Sequence, residues 1–152
     1  MPDDFEKLFQ NIQRMIMGKA SETYSNKVMT LAYEPLNVGE IDQPDGAAKV
    51  TGECGDSMQI HLRIAGETIN KARFLTDGCG ATLACGSAVT ELAKGKTPWE
   101  ASKIYPQTVV RYLDGLPASH LHCAVLSVQA LREALNSINS KKFEDVILKT
   151  DD

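Results

Sequence analysis

Two hydrophobic periods alternate along the chain. Phe5, Leu8, Phe9, Ile12, Met15 and Ile16 recur at three- and four-residue steps, so residues 4–17 are expected to form an amphipathic helix that stops at Gly18. Ser21 reads as the cap of a second helix reaching about Ala32. Pro35, Gly39, Pro44 and Gly46 then break regular structure and predict a long surface connection. Beyond it the period becomes two. Met58, Ile60, Leu62 and Ile64 alternate with Gln59, His61 and Arg63, which describes a strand with one buried face and one wet face, His61 being solvated. Ala65-Gly66-Glu67 turns the chain into a second strand, with Ala72 and Phe74 inward and Lys71 and Arg73 outward. A weaker strand around Ala48 and Val50 completes an antiparallel meander.

Helical spacing then returns. A helix is expected over residues 81–94, closed near Gly95, and Thr97-Pro98 supplies a cap and a first-turn proline for the next, with Trp99 as its packing anchor. A short helix over residues 106–113 precedes Gly115 and Pro117. Leu121, Ala124, Val125, Val128, Leu131, Leu135 and Ile138 mark a long closing helix. Strands first and helices after is the order of an α+β domain, here a three-stranded antiparallel sheet with helices on one face. The chain reads as one domain over residues 21–152, preceded by a helical extension over residues 1–20 whose apolar stripe covers the core.

Length and composition narrow the function. A chain of 152 residues buries about 70% of its unfolded surface, so neither metal nor disulfide is needed for folding. A formal net charge of −4 offers no footprint for nucleic acid. The start MPDDFEKLF lacks a secretory pattern, and no uncharged apolar run approaches the roughly 18 residues of a membrane span, so a cytoplasmic protein is expected. Four cysteines in that compartment remain thiols.

Three of them lie at element ends. Cys54 in ECGDS precedes the first good strand, Cys79 in DGCGA follows the second, and Cys123 in LHCAV opens the last helix, so the meander brings the first two to one edge. Glycines on both sides of Cys79 permit close backbone approach, and a helix amino terminus favours the Cys123 thiolate. Soft thiolates suit iron–sulfur clusters and zinc. Asp56 and His122 are the candidates for a fourth position. Asp56 shares a side with Cys54 if that segment is extended. His122 diverges from Cys123 by about 100° on a regular helix, so both ligate only if the first turn is irregular. A site that exchanges a carboxylate for an imidazole holds its cargo less permanently than four cysteines. The plainer reading is that free cysteines are small buried apolar residues; Cys85, on the stripe with Val89 and Leu92, is read that way.

At these residues the chain resembles the IscU/NifU amino-terminal family of iron–sulfur cluster assembly scaffolds, from about Tyr24 to Leu135. The resemblance rests on YSNKVMTLAYEPLNVG, GECGDSM, ARFLTDGCGATLA, TELAKGKT and LHCAVLSVQAL. It implies the SufE/NifU-like fold for the single domain over residues 21–152. It implies Cys54, Cys79 and Cys123 as cluster or zinc ligands, Asp56 as the residue that makes the cluster labile, and His122 as the alternative fourth ligand. It also implies a transient 2Fe-2S cluster built from iron and persulfide sulfur, with Cys123, at the flexible edge of the site, as the persulfide acceptor. The implied partners are a cysteine desulfurase, recipient apoproteins, an iron donor and a second copy of the chain. The resemblance makes the chain a scaffold and carrier, not an enzyme.

Some positions depart from the family. Leu116-Pro117-Ala118-Ser119-His120 replaces the family's Leu-Pro-Pro-Val-Lys, which argues against handover to a specialised heat-shock chaperone. Leu31 stands near the family's first-helix histidine, and His120 is placed on a surface loop beside His122. A zinc-binding structural or regulatory partner of a desulfurase is the competing reading, because the same ligands hold tetrahedral zinc. A Cys123–His122 nucleophilic dyad is disfavoured, since a base must face its nucleophile.

Overall fold

The computed structural model describes residues 23–150, with side chains described as far as Ile138. The helix expected over residues 4–17, the cap at Ser21 and the extension as a whole lie outside the described residues. Ser25 caps the first described helix, α1 (Asn26–Tyr33): its hydroxyl accepts the Val28 N–H at 3.0 Å. Three strands follow, β1 (Gly46–Thr51), β2 (Ser57–Ala65) and β3 (Thr68–Thr76). They pair antiparallel in the order β1-β2-β3, with Ile60 facing both Ala48 and Phe74. The hairpin between β2 and β3 turns at Gly66, whose φ of +65° lies in the left-handed region where glycine has no steric penalty.

The rest is helical: α2 (Gly80–Ala93), α3 (Pro98–Ala101), α4 (Pro106–Tyr112), a 3-10 turn (Ala118–His120) and α5 (Leu121–Thr150). Met58, Ile60, Leu62, Phe74 and Ala72 point from one sheet face into a core closed by α2 and α5. Each large side chain fully buried there contributes roughly 1.5–3 kcal/mol. Helix α2 is buried on nearly every side because its sequence, GATLACGSAVTELA, is built from small residues that let the sheet, α1 and α5 approach together. Gly86 is the closest approach: a Cβ there would lie 2.3 Å from Phe74 Cε2.

Away from the cysteine segments, two placements differ from the sequence reading. His61 is buried, 8% exposed, rather than solvated. The connection before β1 folds over that sheet face, so the Ile41 N–H donates to His61 Nδ1 at 3.0 Å while Gln59 lies 2.8 Å from Nε2. The same connection pairs with the edge of β3, the Phe74 N–H donating to Asn37 O and the Gly39 N–H to Phe74 O. Trp99 is 71% exposed and is not a packing anchor. Ala101, fully buried, anchors α3, and a capping box between Thr97 and Glu100 holds its start.

Candidate metal centre

The β1–β2 connection, the β3–α2 connection and the amino terminus of α5 meet at one end of the sheet. Cys54 lies in a tight turn rather than an extended segment, with Gly55 N–H donating to Gly52 O at 3.1 Å and Gly52 N–H to Asp56 O at 2.8 Å. Gly55 has φ +93°, which a side chain would resist, and this reversal brings the ligand atoms of Cys54 and Asp56 together. His122 joins them from the first turn of α5. One ligand atom from each of Cys54, Asp56 and His122 lies within 4.8 Å of the other two, on a surface that leaves the cysteine and histidine exposed.

The two loops are tied to each other. The Ser57 N–H donates to the Asp77 carboxylate at 2.8 Å, and Thr76 Oγ1 donates to Ser57 O at 2.6 Å. The Ser57 amide holds the Asp77 carboxyl below its ordinary value, so this clamp is ionised at neutral pH.

Cys79 and Cys123 form an inner pair. Cys79 is the N-cap residue of α2, and its sulfur lies 3.7 Å from Thr82 Oγ1. The Thr82 hydroxyl donates to Cys123 Sγ at 3.4 Å. Cys123 Sγ lies 3.6 Å from His122 Nε2, so neighbouring residues converge although they leave the helix in different directions. The long imidazole closes the gap just after the 3-10 turn, and Cys123 thereby connects the inner pair to the outer three. Cys123 is 1% exposed, which corrects its expected position at a flexible edge: Ala124, Leu126 and Val128 draw the first turns of α5 into the core.

The thiols have different proton affinities. Cys79 is drawn down to about 4, chiefly because the Cys123 thiol donates to its sulfur; the Thr82 and Ala81 amides at the helix start assist, and burial opposes. Cys123 is correspondingly raised, its proton held against Cys79, with burial adding to the effect. Burial also pushes the Cys85 thiol up, and Cys85 is fully enclosed in the core. In metal-free protein at about pH 6, below the ordinary thiol range, iodoacetamide is therefore expected to modify Cys79 well before Cys123 or Cys85. The preference should vanish as pH falls through about 4, where Cys79 takes up its proton. Peptide mass spectrometry reads the order; Cys123 labelling as fast as Cys79 would contradict it.

Three thiolates, an imidazole and a carboxylate fit a soft metal or an iron–sulfur cluster better than a hard cation. His120 stacks on His122 at 6.0 Å between ring centroids, and Tyr24 Oη lies 2.9 Å from His120 Nδ1, so Tyr24 and His120 back the outer ligands. The sequence reading gives Thr82 and Tyr24 no role at the site. The i to i+3 step from Cys79 into the first helical turn was the available signal for Thr82; nothing in the sequence links Tyr24 to His120.

Comparison with known proteins gives a consistent set. Residues 23–145 match the family described as NifU-like N terminal domain. The iron-sulfur cluster assembly scaffold protein IscU 1 of Archaeoglobus fulgidus is 42% identical over 113 residues, 74% of this chain and 74% of that protein. The iron-sulfur cluster assembly scaffold protein IscU of Buchnera aphidicola is 38% identical over 125 residues, 79% of this chain and 98% of that protein. A crystal structure from Fervidobacterium islandicum, of a candidate scaffold protein for the SUF system, superimposes with a TM-score of 0.64 at 20% identity, covering 74% of this chain and 96% of that one. At that identity the superposition establishes the shared fold.

Proposed function

The chain belongs to the family of NifU-like N terminal domains, and from that premise we propose that it is a scaffold on which an iron–sulfur cluster is assembled and from which it is passed to recipient proteins. The observation that supports this most is the convergence of Cys54, Asp56 and His122 within 4.8 Å beside the Cys79–Cys123 pair. The cluster is cargo. The three cysteines supply soft thiolates from three separate elements, and Asp56 or His122 takes the fourth position. Three of the five, Cys54, Cys79 and His122, are exposed, so cargo can leave without unfolding. Sulfur comes from a donor protein, for which a cysteine desulfurase is the proposed source, with the cluster proposed to be 2Fe-2S. Cys123 is the proposed sulfur acceptor because its sulfur touches both halves of the site; its burial requires the first turn of α5 to open on the donor.

The test is transfer. Cluster-loaded protein mixed with an apo-ferredoxin should lose its visible circular dichroism as the ferredoxin spectrum appears; a loaded protein that never yields its cluster would contradict the reading. Asp56→Ala should slow that loss on the order of tenfold, about 1.4 kcal/mol, because a hard, exchangeable carboxylate gives way to the better matched imidazole of His122. Faster transfer from Asp56→Ala would refute the labilising role.

A further inference from the structure

Helix α2 contains two fully buried threonines that use their hydroxyls differently. Thr90 donates to the carbonyl of Gly86 at 2.7 Å, one turn back, as a buried helical threonine ordinarily does. Thr82 is equally enclosed, yet its hydroxyl points between two sulfurs, 3.4 Å from Cys123 Sγ and 3.7 Å from Cys79 Sγ. Its place in the first turn explains this. The residue four positions earlier is Gly78, which lies outside the helix, and the side chain packs so closely on it that a Cβ there would sit 2.6 Å from Thr82 Oγ1. Gly78 thus leaves room for the threonine at the site, and the hydroxyl proton, shut off from water, goes to sulfur.

A hydroxyl donating to a metal-bound thiolate withdraws charge from that sulfur. Such bonds are among the factors that tune thiolate centres, together with the identity of the ligands and their exposure. A buried polar group without its partner would be costly, so the same bond fixes the relative position of the two cysteines. Resting on the proposed function, we propose that Thr82 is a positioning residue for the bound metal: its hydroxyl holds Cys79 and Cys123 at one spacing and lowers the donor strength of the thiolate it bonds. It touches no cargo atom and acts through the sulfurs.

Cobalt(II) alone is the probe, so cluster assembly is not required. Thr82→Val keeps the shape and removes the hydroxyl; Thr82→Ser keeps the hydroxyl and removes the methyl group. In Thr82→Val the sulfur-to-cobalt charge-transfer bands should move to longer wavelength, since an unbonded thiolate gives up its electron more readily. Thr82→Ser should absorb at the wild-type position. If Thr82→Val proves too unstable to load, Thr82→Ala removes the hydroxyl in its place. Wild-type bands in the serine variant together with shifted bands in a loaded variant that lacks the hydroxyl sustain the role; bands displaced in the serine variant, or unmoved in the hydroxyl-free variant, overturn it. A wild-type protein that shows no thiolate-to-cobalt band sinks the proposed function, and the inference with it. A normal wild-type band with no hydroxyl dependence removes Thr82 alone.

Discussion

Cys54→Ser, Cys79→Ser and Cys123→Ser, each made singly, are expected to lose at least about tenfold in bound iron and sulfide after anaerobic reconstitution. A serine hydroxyl is a hard donor that stays protonated where a thiolate is free, so substitution removes a soft ligand from an already small set. Position matters as much as chemistry. The three sulfurs come from the β1–β2 turn, the N-cap of α2 and the first turn of α5, and no remaining cysteine can move into a vacated place. Cys85, the only other one, is enclosed in the core on α2. Cys85→Ser should therefore keep its iron and sulfide, with a stability loss of about 1–3 kcal/mol for a poorly satisfied buried hydroxyl. Unchanged iron and sulfide in any of the first three variants would remove that residue from the site, and a Cys85→Ser variant that loses its cluster would place Cys85 in it.

Gly86→Ala should give a large stability loss for the addition of a single methyl group. The added carbon would meet the Phe74 ring at 2.3 Å, and that ring is fully buried against the sheet with no free end to swing aside. Helix and sheet must separate, so the cost falls at the upper end of the overpacking range, about 2–3 kcal/mol. That corresponds to a fall in Tm of roughly 5–10 °C for a domain of this size. Because Cys79 caps the same helix, metal affinity should fall with it. Thermal unfolding followed by circular dichroism reads the first effect; a Tm within a degree or two of wild type would mean that the contact relaxes freely.

The sheet and the helix order were legible because their signals are local. Met58, Ile60 and Leu62 alternate with polar residues, and they line the core side of β2. Gly66 marks the hairpin, and Thr97-Pro98 starts α3. The three cysteine segments were also legible, since each sits where regular structure ends. What stayed hidden depends on the chain folding back upon itself. His61 has the right period for an exposed face, but a loop from twenty residues earlier covers it. Cys123 follows a proline-containing turn, yet the apolar residues beyond it sink the helix start. Trp99 is large enough to suggest an anchor, while the smaller Ala101 does the anchoring. The start of α1 lies one turn beyond the expected Ser21, at Ser25, whose hydroxyl accepts the Val28 N–H. Thr82 meets Cys123 only because α2 and α5 cross there, at a separation of 41 residues.

The most direct test of the metal centre is anaerobic incubation of the purified protein with ferrous iron and sulfide, followed by iron and acid-labile sulfide analysis and a visible spectrum. The scaffold account predicts iron and sulfide bound in equal amounts, with sulfide-to-iron absorption that disappears when Cys54, Cys79 or Cys123 is replaced by serine. Zinc held tightly through the treatment, with no visible absorption and no bound sulfide, would contradict it and leave a zinc-binding structural module in its place.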